Sequence, residues 1–167
     1  MTTYQTPEGL ERLRKRIANA RLQYKVVCDD NPAAAEAGDS SVWHDNFAYE
    51  ENQRKMHMLA RLVRDLEHRF ATTSVVGSVN SEPTKARVGC LVVYRFTDEA
   101  TERSCTVSGF DDGDPDAGRV SYNSPLGVAL VGAEVGERRS FVVAGRRREV
   151  EVIDLALAPT ESVGVAA

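Results

Sequence analysis

The residues best suited to chemistry are carboxylates gathered in one window of the chain. No Lys or Arg occurs between Lys25 and Arg54, while Asp29, Asp30, Glu36, Asp39, Asp45, Glu50 and Glu51 all fall there. Clustered carboxylates are the oxygen ligands that hard divalent cations take, so Asp39 and Asp45 are candidate metal ligands. Their spacing argues against a ready site. On a helix, residues six apart are rotated by about 600° and stand roughly 120° out of line. His44 beside Asp45 is no better, because adjacent helical side chains diverge by about 100°. A second acidic run, from Asp111 to Asp116, lacks the spacing and the closing Glu of a calcium loop. The three cysteines form no C-x-x-C pattern; Cys90 and Cys105 can face one another on neighbouring strands and read as buried, reduced thiols. Arg12, Lys15, Arg16, Arg54 and Lys55 can neutralise phosphates. They can equally form a solvated flank with pairs such as Glu11 and Lys15. Arg146-Arg147-Arg148 follows Ala144-Gly145 and reads as solvated turn charge.

These groups need elements to position them. Leu10, Leu13, Ile17, Ala20, Tyr24 and Val27 alternate at steps of three and four, the spacing of a coiled-coil seam. Tyr49, Asn52, Met56, Leu59, Val63, Leu66 and Phe70 repeat it. Pairing Leu13 with Leu66, Ile17 with Val63 and Tyr24 with Met56 folds the chain back near Gly38-Asp39-Ser40-Ser41. The reading is an antiparallel two-helix hairpin, basic at its base and acidic toward its tip. Thr6-Pro7-Glu8 supplies a cap, a first-turn proline and a favourable charge. Pro32 predicts a break. Each arm of about 30 residues would project about 45 Å.

From residue 75 the pattern turns to β. Residues 75–76, 87–96, 104–110, 119–122, 138–143 and 149–155 are rich in β-branched and aromatic residues, and turn-forming clusters separate them. A short apolar helix is expected between Pro125 and Gly132, with Ser124 as its cap. The fold class is therefore α+β. The expected domains are a hairpin over 1–74, a mostly antiparallel β domain over 75–158 and a flexible tail over 159–167. The 167-residue chain carries a formal net charge of −4, which excludes a uniformly basic nucleic-acid binder. It has no apolar run long enough to span a membrane and no leader pattern, and so reads as cytoplasmic.

Val120-Ser121-Tyr122-Asn123-Ser124-Pro125-Leu126-Gly127-Val128-Ala129-Leu130-Val131-Gly132 closely resembles the S-P-I/L-G-x-A-L-I/L-G signature of the Gre family of bacterial transcription factors. Val135-Gly136-Glu137 and Glu149-Val150-Glu151-Val152-Ile153 are similar to the family's closing hairpin. Thr6-Pro7-Glu8-Gly9-Leu10-Glu11-Arg12-Leu13 is similar to its opening helix. The resemblance covers nearly the whole chain. It implies a helical hairpin, an FKBP-like β domain and binding to RNA polymerase. The β domain would hold the secondary-channel rim on the largest subunit, with Ser124, Pro125 and Leu126 as docking residues. The hairpin would thread the channel and point Asp39, Val42, Trp43, His44 and Asp45 at the active centre. Arg12, Lys15, Arg16, Arg54 and Lys55 could then contact phosphates of the nascent RNA.

In family members that stimulate transcript cleavage, a tip D-x-x-E pair helps hold a second Mg²⁺ in the polymerase. Here the register puts Asp45 at the motif's Glu and Val42 at its Asp. A valine binds no metal. The expectation is a channel-binding regulator with no catalytic residues and no cofactor of its own, any Mg²⁺ being shared with the polymerase. A cleavage-stimulating factor using Asp39 and Asp45 is the alternative. A peptidyl-prolyl isomerase is a distant one, since that pocket needs an aromatic lining and this half offers only Tyr94, Phe96, Phe110, Tyr122 and Phe141.

Overall fold

The computed structural model describes residues 2–31, 47–76 and 82–158. They divide into two units, one from the described parts of Met1–Leu10 and Thr73–Ala167, the other from Glu11–Thr72. Residues 2–10, expected in the hairpin, thus group with the β half.

In the helical unit, α1 (Pro7–Asp29) carries most of its length and α2 (Phe47–Ala71) returns. Leu13, Ile17, Ala20 and Leu66 are buried together, with Val63 and Phe70 packed on them. These are the residues that the seam spacing puts face to face. The pairing is antiparallel: Arg14 lies 5.4 Å over the Phe70 ring, Arg21 meets Glu67 at 2.6 Å, and Asn52 Nδ2 donates to the Val27 carbonyl at 3.1 Å. The described helices hold 23 and 25 residues, and the expected break at Pro32 and the turn near Gly38-Asp39-Ser40-Ser41 lie outside the described residues. The Thr6 cap forms, its hydroxyl accepting the Gly9 N–H at 3.0 Å.

Among the described residues the β unit has two sheets. β1 (Thr3–Gln5) and β2 (Thr73–Val75) pair in parallel. No strand was expected at β1: three residues are too few for alternation to be read. The larger sheet runs β5 (Arg119–Ser121), β4 (Glu102–Ser108), β3 (Cys90–Phe96), β7 (Arg146–Leu157), β6 (Arg138–Val143). It is mixed, because β4 and β5 pair in parallel while the other neighbours are antiparallel. β3 alternates without fault, burying Cys90, Val92, Tyr94 and Phe96. On β7 the buried residues are Val150, Val152 and Leu155. That switch of parity follows from a bulge: Val93 faces Asp154 and Tyr94 faces Val152, leaving Ile153 over. The short helix α3 (Pro125–Leu130) contributes Ala129 and Leu130 to the same core.

Candidate functional site

The signature motif forms a strand, a tight loop and a helix. Ser124 caps α3: its hydroxyl accepts the Gly127 N–H at 3.1 Å and donates to the Ser121 carbonyl at 2.7 Å. Pro125 takes the first turn, where its missing N–H costs nothing. Gly127 is required by contact. A Cβ there would lie 2.0 Å from the Ser121 carbonyl oxygen and 2.8 Å from the Tyr122 Cα. The absent side chain lets the helix sit directly on the end of β5. Of the three predicted docking residues, Pro125 is exposed, Ser124 is half-buried, and Leu126 is half-buried against the core. Val128, 63% exposed, is the more available apolar side chain and was not singled out from sequence.

Behind the loop, Ser121 is buried. Its hydroxyl donates to the Gly109 carbonyl at 2.6 Å, accepts the Asp111 N–H at 3.0 Å and contacts Asn123 Oδ1. Asn123 Oδ1 also accepts the Asp111 N–H, at 3.1 Å. Tyr122 stands beside them, edge-on to Tyr4 and Phe110, and its hydroxyl accepts the Tyr4 N–H at 3.3 Å.

The tip residues Asp39, Val42, Trp43, His44 and Asp45 lie outside the described residues. Among the described residues, no group of three or more His, Cys, Asp or Glu is placed to hold a metal. The acidic loop after Phe110 is pinned internally instead: Asp114 accepts from Arg119 at 2.9 Å and from the Ala117 N–H at 3.2 Å.

On the helices, Lys15, Arg16, Arg54 and Lys55 are exposed and Arg12 is half-buried. Arg54 and Lys55 are answered by Glu50 and Glu51 at 3.5 Å. Glu11 pairs with Arg14 at 3.3 Å rather than with Lys15. Arg148 is not solvated turn charge. It lies 3.7 Å over the Phe96 ring, and it meets Glu99 at 2.6 Å and Asp98 at 3.2 Å, two carboxylates that raise its pKa. Cys105 stands opposite Val92, not Cys90, and burial pushes its thiol up to about 12. Tyr94 and Phe96 are buried in the core, with Phe141 packed against Phe96.

The site is a capped helix N-terminus and two hydrogen-bonded loops on an α+β protein with an antiparallel helical pair, an architecture suited to binding. The family model described as "Transcription elongation factor, GreA/GreB, C-term" matches residues 67–156. Transcription elongation factor GreA of Chloroflexus aurantiacus is 33% identical over 131 residues, 78% of this chain and 82% of its own. GreA of Bacillus cytotoxicus is 24% identical over 90% of this chain and 94% of its own. The crystal structure of GreA factor homolog 1 of Thermus thermophilus aligns with 93% of this chain and 99% of its own, at 19% identity and a TM-score of 0.43, too distant a likeness to bear on function. The chain belongs to the GreA/GreB family of transcription elongation factors.

Proposed function

We propose that this protein binds RNA polymerase in the cytoplasm and modulates or inhibits RNA synthesis without stimulating transcript cleavage. Ser124, Pro125 and Leu126 dock on the secondary-channel rim of the largest subunit. The helical hairpin enters the channel and carries Asp39, Val42, Trp43, His44 and Asp45 toward the active centre. Arg12, Lys15, Arg16, Arg54 and Lys55 face nascent RNA along the way, contacts that depend on salt.

The observation that carries this reading is a valine at position 42, which the resemblance, counted back from Val63-Arg64-Asp65-Leu66-Glu67, aligns with the cleavage motif's metal-binding Asp. Two carboxylates on one helical face can share a hard cation; a valine and an aspartate cannot. The protein then brings no catalytic group and no cofactor, and any Mg²⁺ near the tip belongs to the polymerase.

The test uses stalled elongation complexes with 5′-labelled RNA, with and without the protein. Slowed extension with full-length RNA is the expected result. Shortened, re-extendable RNA that disappears with Asp45→Ala would replace this reading with the cleavage-factor one. Failure to bind the polymerase would overturn both.

A further inference from the structure

We propose that Ser121 and Asn123 are positioning residues, locking the loops 109–111 and 122–125 into one preformed binding face. The inference rests on the docking reading given above. Ser121 is only 6% exposed, yet its polar atoms reach toward the surface loops. Its hydroxyl is within donating reach of the Gly109 carbonyl, at 2.6 Å, and of Asn123 Oδ1, and it accepts the Asp111 N–H at 3.0 Å. Its backbone carbonyl holds the opposite loop, accepting the Ser124 N–H at 3.0 Å and the Ser124 hydroxyl at 2.7 Å. One residue therefore ties both loops to the end of β5.

Asn123 closes the clamp from outside. Its side-chain oxygen accepts the Asp111 N–H at 3.1 Å. That donor settles which end of the amide faces inward, since the NH₂ group has no lone pair to offer. Asp111 sits at φ 57°, a left-handed conformation that aspartate tolerates better than most residues bearing a Cβ. Two acceptors on one N–H hold it there. A face held in its bound shape before contact loses less freedom on binding, and that saving appears as affinity.

Direct contact and positioning make different predictions. Asn123→Ala removes the inward acceptor, whereas Asn123→Asp keeps it, replaces the outward NH₂ by a carboxylate oxygen and adds one negative charge. Binding of bacterial core RNA polymerase by the full chain is measured for Ser121→Ala, Asn123→Ala, Asn123→Asp and Pro125→Glu. Ser121→Ala and Asn123→Ala should each weaken binding about tenfold, and Asn123→Asp should bind like the unaltered protein. Equal weakening by Asn123→Asp and Asn123→Ala would overturn the inference, because the outward group would then be what the polymerase reads. So would unchanged affinity in Ser121→Ala and Asn123→Ala while Pro125→Glu loses binding, which leaves the docking reading intact. Unchanged binding by Pro125→Glu would overturn the docking reading itself. If Ser121→Ala fails to fold, the exposed Asn123 pair decides alone.

Discussion

At the scale of single residues, burial and close approach give two sharp expectations. Cys105 is buried opposite Val92, and its thiol titrates at about 12 rather than near 9 because burial disfavours the thiolate. The thiolate is the reactive form, so iodoacetamide at pH 8 should label the half-buried Cys28 and leave Cys105 untouched, as read by peptide mass spectrometry. Labelling of Cys105 at the rate of Cys28 would show that the sheet opens there. The sign for stability follows from the raised value. The folded state keeps its proton where the unfolded chain has lost it, so this contribution is whole below pH 9 and declines as pH rises toward 12. Gly127 gives the second expectation. Its Cβ would meet backbone atoms of Ser121 and Tyr122, which cannot swing aside as a side-chain end can. Gly127→Ala should lose about 3 kcal/mol in urea unfolding, and a loss below about 0.5 kcal/mol would mean that helix and strand adjust freely. The glycine was legible in the sequence only as part of a motif. What demands it, the Ser121 carbonyl, is visible only once α3 is packed.

At the scale of elements, the seam was legible because its period differs from that of a strand and because both arms carry it. Asn52 is the one polar residue in that pattern. Its Nδ2 donates to the Val27 carbonyl, but its Oδ1 is buried without a partner among the described residues. A polar seam residue fixes register at a cost in stability, so Asn52→Leu should raise stability by about 1 kcal/mol in urea while relaxing the pairing. The strands were legible where one face is buried, as in β3, and blurred where a bulge breaks the alternation, as in β7. The β6–β7 turn was legible as a turn but not as to type. Ala144 and Gly145 have φ of 48° and 74°, the two left-handed residues of a type I′ hairpin. Alanine is poorly suited to the first of these, and asparagine tolerates it. Ala144→Asn should add about 0.5 kcal/mol by thermal unfolding, and a loss instead would mean that the turn relaxes to another type.

At the scale of the whole molecule, the main departure from the sequence reading is where the chain's start belongs. A helix cap at Thr6 was legible, but nothing in Thr3-Tyr4-Gln5 marks a strand, because its partners lie 70 residues away. β1 pairs with β2 in register Thr3 to Thr73, and the two threonine hydroxyls meet at 2.9 Å. The next layer is tighter. The Phe110 N–H donates to the Tyr4 carbonyl at 3.0 Å, and Gln5 Nε2 donates to the Phe110 carbonyl at 2.8 Å. A Cβ on Gly109 would fall 2.9 Å from the Gln5 Cα, a backbone atom that cannot swing aside, so this glycine lets β1 approach. The opening residues therefore anchor the loop that runs into Asp111, the same loop that Ser121 and Asn123 clamp. Removing residues 1–5 should leave the α1–α2 seam in place, since Leu13, Ile17, Ala20 and Leu66 lie beyond the cut. It should instead strip amide exchange protection from Phe110 and Val76, whose N–H groups donate to β1 carbonyls. Protection unchanged at both amides would mean that β1 rests on the β unit without holding it. Loss of protection through the α1–α2 seam would put the first residues back in the hairpin, where the sequence alone had them.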